Sequence, residues 1–474
     1  MQMSLEEVAA ILGSSAGEGG RVAGGCSIDS RTVQPGELFF AIRGPRLDGH
    51  AYVAQALARG AVGAIVEKRS IVSLPPALCS SLIVVADTTA ALQKLALAVR
   101  RKWGGRLVAI TGSAGKTTTK EMTAALLSQR FSVLKSPGNL NNDYGLPLAL
   151  LQLEPSHQVA VVELAMSAPG EIASLSQIAE PQVGVVTNVA PAHLQFFDSV
   201  ESIAAAKREL IENLPGDGIA VLNHDDPRVR RFGEGFGGRV VTFGLEPGAV
   251  IRGVDLQQNG ERGTNFKVEA KGIKTEFKLN LPGRHNVKNA LAAIATSSLF
   301  DIPLPALQEG LARLQTLHQR SEVLTLAGGI TVLNDSYNSN PLALEMMLDT
   351  LAAWPTVGRR IVVAGEMLEL GPASKELHRE AGRRCMKSKV EWLLTVQGDA
   401  QFMLEGALEA GLPAHRGRFF STSEEAGNYC LSLGRKGDVI LVKGSRGVHL
   451  EKVIRLLQSN RDLISTDGSI ELKG

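Results

Sequence analysis

No two of the four cysteines, Cys26, Cys79, Cys385 and Cys430, are close enough in sequence to form a Cys-x-x-Cys pair. That spacing offers no zinc site and no disulfide framework, and a reducing cytoplasm is the expected compartment. An excess of one charge is also missing: 50 basic residues face 48 acidic ones, a net +2, with no basic block. Neither nucleic acid nor an anionic membrane is therefore expected as a partner. No apolar run approaches the roughly 20 residues that cross a bilayer. The opening MQMSLEEVAAILG reads as a short amphipathic helix with acidic residues, not as a signal peptide. What is present is ordinary for a globular enzyme, with 44% apolar and 21% charged residues. A chain of 474 residues exceeds a single core, and on the order of two to four domains is expected.

Three textures follow one another. Up to about residue 100, Pro35-Gly36 makes a turn before the strand ELFFAI, and a helical run, TTAALQKLALAVRRKW, leads to a hinge candidate at Gly104-Gly105. The second segment has short continuous apolar runs at RLVAIT, HQVAVVEL, VGVVTNV and GIAVLN, alternating with helix-like stretches, the pattern of a buried parallel sheet. Between about Val250 and Leu281 the pattern becomes alternating, as in FKVEAKGIKTEFKLNL, which predicts a small antiparallel section. From about Leu317 the α/β rhythm returns, with a second hinge candidate around Thr316 to His318. The expected domains are 1–103, 104–316 and 317–474.

The stretch AITGSAGKTTTKEM, between a strand and a helix, carries Gly112, Ser113, Ala114, Gly115, Lys116, Thr117 and Thr118. In such a loop successive backbone N–H groups and the positive end of the helix dipole converge on phosphates. Lys116 would reach the β- and γ-phosphates, and the Thr117 hydroxyl would bind Mg²⁺. Ile110 stands where the common form of this loop has its first glycine, so the loop is a shortened variant. By itself the loop does not separate kinases, GTPases, transport ATPases and ligases.

Other residues gather near the same expected sheet edge. Glu163 ends the run VAVVEL and would suit a magnesium ion there. TNVAPAHL delivers His193, which local sequence reads as structural. In FDSVESIAAAKREL, Asp198 and Glu201 predict a capping box, and Lys207 reads as a solvated helix charge. GNLNNDYGLPLAL, with Asn139, Asn141 and Asn142, is either turn chemistry or a surface for a polar ligand. LNDSYNSNP, with Asp335, Tyr337 and Asn338, and VKGSRG, with Lys443 and Arg446, end two strands of the third segment. Pro341 should open a helix.

Assembled in order, DSRTVQPGELFFAIRGPRLDGH, TGSAGKTTTKE, VELAMSAPGEI, TNVAPAHL, GRHNVKNALAA, DSYNSNP and VKGSRG closely resemble the Mur ligases, the ATP-dependent amide ligases of peptidoglycan precursor assembly. The resemblance spans essentially the whole chain. It implies an α/β protein of three parts: a small N-terminal UDP-substrate domain, a central P-loop ATPase domain and a C-terminal Rossmann-like domain. GNLNNDYGLPL and DSYNSNP resemble those members that join D-Ala-D-Ala to UDP-N-acetylmuramoyl-tripeptide. Members that add the third amino acid would carry DYAH in place of DSYN, and Asp-Asn-Pro-Arg in place of the stretch at TVQGDA.

The resemblance also implies roles. Gly112 to Thr118 would hold the phosphates of ATP, with Lys116, Glu163, His193 and Lys207 as catalytic residues. Thr117, Glu163, His193 and Lys207 would serve the magnesium sites, Lys207 as the lysine that several members carry as a carbamate. Asn289, Arg320 and Asp335 would contact the nucleotide, although Gln319 stands where a glycine is expected before that arginine. Ser30 and Arg31 would hold the UDP end of the substrate. Asn139, Asn141 and Asn142 would lie along the muramoyl peptide, with Tyr337, Asn338, Lys443 and Arg446 as further substrate residues. A monomer is expected. Folylpolyglutamate synthase, which should lack the DSR…DGH segment, and a non-catalytic scaffold of the same fold are the competing readings.

Overall fold

The computed structural model describes residues 2–16, 20–314, 317–326 and 328–459. Thr316 of the second hinge candidate, and residues 460–474 of the third expected domain, lie outside the described residues.

The N-terminal part is built on four parallel strands, Gly25–Ser27, Glu37–Phe40, Gly63–Glu67 and Leu82–Val85, side by side in chain order. The helix Thr88–Trp103 follows. The Asp87 side chain caps it by accepting from the N–H groups of Thr89 and Ala90, and it stops at Gly104, where φ is +68°. Its apolar stripe, Leu92, Leu95, Ala96 and Val99, lies in one continuous core with Leu38 and Phe40 on one side and Leu107 and Ala160 on the other. Arg100 Nε donates to the Ala179 carbonyl at 2.7 Å, and Trp103 Nε1 to the His157 carbonyl at 2.8 Å. The glycine pair expected to be a hinge is therefore a helix stop with both sides fastened together.

Among the described residues the central sheet has nine strands. Its parallel part shows why its strands read as continuous apolar runs: successive residues feed opposite faces, both covered. Leu107 and Ala109 join Ala160, Val162 and Ala220 in one core layer, while Val108 and Ile110 join Val159, Val161 and Val185 in the other. The strand Arg106–Thr111 lies between Val159–Glu163 and Val183–Val186. The chain thus builds first to one side of this strand and then to the other, a switch point at which loops diverge and leave a crevice. The alternating segment forms the strands Ile251–Gln258, Thr264–Ala270 and Ile273–Leu279, antiparallel to one another. They continue the main sheet, because Phe243 and Gly244 pair with Ile251 and Arg252. Phe266, Phe277 and Leu279 pack with Val287, Leu291 and Ile294 of the helix Arg284–Ser297.

The helix Val200–Glu212 begins one residue later than its expected cap. Ser199 and Ser202 form the capping box, in place of Asp198 and Glu201, and Glu201 instead pairs with Arg228 at 2.6 Å. Ser202 serves at N3 because its hydroxyl can bond back to the Ser199 N–H.

Among the described residues the C-terminal sheet has six strands. Ile330–Asn334, Val439–Lys443, Arg360–Gly365, Trp392–Val396 and Gly417–Phe420 are parallel, and Glu322–Leu326 pairs antiparallel at one edge. The two edge strands were not expected from the sequence. Both are half-exposed, so neither has the continuous apolar run of the inner strands. The helix Pro341–Ala352 starts at the expected proline, with Asn340 Oδ1 accepting from the Ala343 N–H.

Candidate active site

The loop after Arg106–Thr111 is shaped by the neighbouring strand end. Ser113 N–H donates to the Asn188 carbonyl and Ala114 N–H to Asn188 Oδ1, while Thr187 Oγ1 and Asn188 Nδ2 donate to the Ala114 carbonyl at 2.7 and 3.0 Å. Ser113 Oγ donates to the Ala190 carbonyl. Gly115 sits at φ +82° as the cap of the helix Lys116–Leu127, with Asn289 directly against it. Along the sequence, Thr187 and Asn188 carry no signal of a role. Their amide and hydroxyl give the loop its curve, and only the pairing of the strands reveals this.

Lys116 Nζ donates to the Gly112 carbonyl at 2.9 Å. Desolvation in the cleft floor holds its ammonium below the ordinary lysine range; the Glu163 carboxylate opposes that shift and Arg320 adds to it. Thr117 Oγ1 donates to Glu163 Oε2 at 2.7 Å, and Asn141 Nδ2 to Glu163 Oε1 at 2.9 Å. Glu163 is buried, 3% exposed, with no ion pair to a cation within 4 Å among the described residues. A carboxylate and a hydroxyl are hard oxygen donors of the kind magnesium takes, with phosphates and water completing its shell. The pair Thr117 and Glu163 therefore fits such an ion. Among the described residues no three acidic, histidine or cysteine side chains cluster into a metal cage.

The other two expected metal residues behave differently. His193, at φ +60°, lines the same cleft, but its Nδ1 is 2.5 Å from Glu369 of the C-terminal part. Lys207 is not the solvated charge of the local reading: it is 3% exposed. It stands on the buried face of its helix, in line with Ile203, Leu210 and Ile211. Burial first, and then the nearby Lys116 charge, hold its ammonium well below the ordinary lysine range.

The C-terminal part closes the cleft from above. Asn340 Nδ2 donates to the Ser113 carbonyl at 3.2 Å, and Gln195 N–H to the Glu369 carbonyl at 3.0 Å. Asp335 accepts from the Ser321 N–H at 2.7 Å and is ion-paired with the buried Lys443, whose Nζ also donates to the Asn338 carbonyl. The Tyr337 ring lies between two guanidiniums, Arg320 at 4.1 Å and Arg446 at 5.5 Å from its centroid. Gln319 takes the left-handed backbone a glycine would take, at φ +60°, and its Oε1 accepts from Arg446 Nη1 at 3.1 Å.

The cleft, of about 610 Å³, is lined by Ser113 to Thr118, Asn139, Asn141, Glu163, His193, Asn289, Arg320, Asp335, Tyr337, Asn338, Lys443 and Arg446. Five of the expected site residues, Gly112, Ser30, Arg31, Asn142 and Lys207, are not part of this lining. Asn142 Oδ1 accepts from the Gly145 N–H, the turn role that was one of its two readings. Lys207 lies behind the surface. Ser30, bonded to Gln55, and Arg31, paired with Asp29 at 2.7 Å, lie in the N-terminal part. His285, Asn286 and Met347 are lining residues that the sequence reading missed as site residues; burial pushes the His285 imidazolium down to about 4, so it is neutral. The signal that could have found the first two was their place in GRHNVKNALAA, beside Asn289.

A phosphate loop at a switch point, a carboxylate beside its threonine and a third α/β unit lowered over both define the class, an enzyme acting on a nucleotide phosphate. Comparison with known proteins extends this. Residues 23–102 match the Mur ligase family, catalytic domain; residues 110–297 the Mur ligase middle domain; and residues 319–446 the Mur ligase, glutamate ligase domain. A UDP-N-acetylmuramoyl-tripeptide--D-alanyl-D-alanine ligase of Bacillus subtilis is 35% identical over 91% of this chain and 92% of its own. The crystal structure of MurF from Acinetobacter baumannii superposes with a TM-score of 0.87 at 28% identity, over 97% of this chain and 99% of that one. MurF ligase from Thermotoga maritima in complex with ADP superposes with a TM-score of 0.81 at 30% identity, over 93% and 98%. The chain belongs to the Mur ligase family.

Proposed function

We propose that this protein is an ATP-dependent amide ligase that joins D-Ala-D-Ala to the terminal carboxylate of UDP-N-acetylmuramoyl-tripeptide, in cytoplasmic peptidoglycan precursor synthesis. The relatives named for that reaction over nine-tenths of their length support it, as does the ADP held by the Thermotoga neighbour. One observation carries the chemistry: the phosphate loop, the Thr117–Glu163–Asn141 group and the cations Arg320, Lys443 and Arg446 face one cleft.

The tripeptide carboxylate attacks the γ-phosphorus of ATP, forming an acyl phosphate and releasing ADP. Two anions must approach each other, and Lys116 and Arg320 offset the charge that builds on the transferred phosphoryl oxygens. Thr117 and Glu163 would hold a magnesium ion, which supplies further charge neutralisation at the phosphates. An acyl phosphate hydrolyses in water, so the contacts of Asn340 with Ser113 and of Glu369 with Gln195 keep the C-terminal part over the site. The amine of D-Ala-D-Ala then attacks the acyl carbon, and the tetrahedral intermediate expels phosphate.

Lys207 is the residue for a carbamate: burial favours its uncharged amine, whose addition to CO2 with loss of one proton would give a carboxylate-like group near Lys116. Ser30 and Arg31 take the UDP end, and residues 1–103, 104–316 and 317–474 act as the three domains of a monomer. Lys116→Ala should abolish ligation while UDP-substrate binding persists, and near-normal turnover would refute the mechanism. Phosphate release with UDP-N-acetylmuramoyl-tripeptide should require D-Ala-D-Ala. Release that requires glutamate and a folate instead would overturn the assignment.

A further inference from the structure

We infer that Lys120 is a positioning residue that sets the asparagine loop against the phosphate loop and, through Asn141, fixes the orientation of Glu163. This deepens the ligase reading above and rests on it. Lys120 lies one helical turn beyond Lys116, and its side chain is 0% exposed. Its Nζ donates to the Ser136 carbonyl at 2.7 Å and to the Gly138 carbonyl at 3.2 Å, with Glu121 Oε1 at 3.4 Å. Burying an ammonium is costly unless it is paired and hydrogen-bonded, and two of its bonds go to the backbone at the start of the asparagine loop.

That loop needs an external hold. Gly138 is at φ +51°, and the next regular element is the short helix Gly145–Leu150, so few backbone bonds of its own fix residues 137–141. Within them, Asn139 lines the cleft and Asn141 donates to Glu163, while Ala165 N–H donates to the Asn141 carbonyl at 2.9 Å. A ring results: Thr117 and Lys120 on one helix, the loop that Lys120 holds, Asn141, and Glu163 bonded back to Thr117. Removing Lys120 opens the ring on the side away from the phosphates. Glu163 then loses the partner that aims one oxygen, and Asn139 loses its place on the wall of the cleft.

The test is steady-state ligation with Lys120→Met, which keeps the stem and removes the donors, and Lys120→Gln, which keeps a neutral donor. For each folded variant the half-activating Mg²⁺ concentration and the KM for UDP-N-acetylmuramoyl-tripeptide should rise about tenfold, the usual effect of losing a group that orients a ligand. The KM for ATP should stay within about twofold, because the bonds from Thr187 and Asn188 that shape the phosphate loop are untouched. Asn141→Ala should give the same Mg²⁺ shift, and adding Lys120→Met to it should give little more. A general loss of stability would lower activity without this selective shift. Unchanged Mg²⁺ activation in a folded Lys120 variant, or fully additive effects with Asn141→Ala, would overturn the inference. Failure of the wild-type chain to ligate D-Ala-D-Ala would instead refute the function on which it rests.

Discussion

Replacing Gly115 by alanine tests the phosphate loop at its tightest point. The residue is at φ +82°, where an L side chain costs about 1–2 kcal/mol. The added methyl would also fall inside the contact radius of Asn289 Oδ1 and 3.1 Å from Asn289 Cγ. Asn289 cannot retreat cheaply: it is 7% exposed, accepts from Thr119 Oγ1 and donates to Asn286 Oδ1 at 3.3 Å. Displacing it leaves a buried polar group unsatisfied, a further cost of about 1–3 kcal/mol. Gly115→Ala should therefore destabilise the protein by roughly 2–5 kcal/mol. The KM for ATP should rise about tenfold or more, because the loop and Asn289 move together. Urea unfolding of the wild type, Gly115→Ala, Asn289→Ala and the double variant separates the two parts. With Asn289 already truncated, the alanine should cost only the backbone part, about 1–2 kcal/mol. An equal cost in both backgrounds would refute the steric argument, and an unchanged KM would refute the role of this turn in nucleotide binding.

Two further outcomes follow from charged groups. The hydrogen bond from His193 holds the Glu369 carboxyl below its ordinary value of 4.5. Its contribution to the contact between the parts is thus complete above that value and disappears as pH falls through the lowered one. Small-angle scattering should show the radius of gyration rising only below about pH 4.5 in the wild type, and Glu369→Gln should abolish that step; a step that persists in the variant would exclude this pair as its source. Lys207→Met removes an amine whose burial makes wild-type stability rise with pH towards 10.5, since the unfolded chain binds the extra proton. The variant should be at least as stable at pH 7 by thermal melting, with that slope flattened, and should lose ligation about 100-fold. Turnover close to wild type would exclude Lys207 from the site.

The phosphate loop, the strand Glu37–Phe40, most of the inner parallel strands of the two larger sheets and the magnesium-suited Glu163 could be read along the chain. Each depends on local signals: an apolar run, a glycine spacing, a carboxylate at the end of a strand. The edge strands Glu322–Leu326 and Gly417–Phe420 could not be read, because one side of each faces solvent and neither carries a continuous apolar run.

What the sequence determined by itself was the order of strand, loop and helix and the identity of the groups that could meet a nucleotide. Only the tertiary structure decided which of them meet. The strand order put Thr187 and Asn188 beside the phosphate loop, and the burial of one helix face turned Lys207 from a surface charge into an enclosed amine. It also gave Asn141 to Glu163 but Asn142 to a turn, although the two are adjacent in the chain. Side chains one residue apart point in different directions, and their partners come from elements that the chain reaches only after folding.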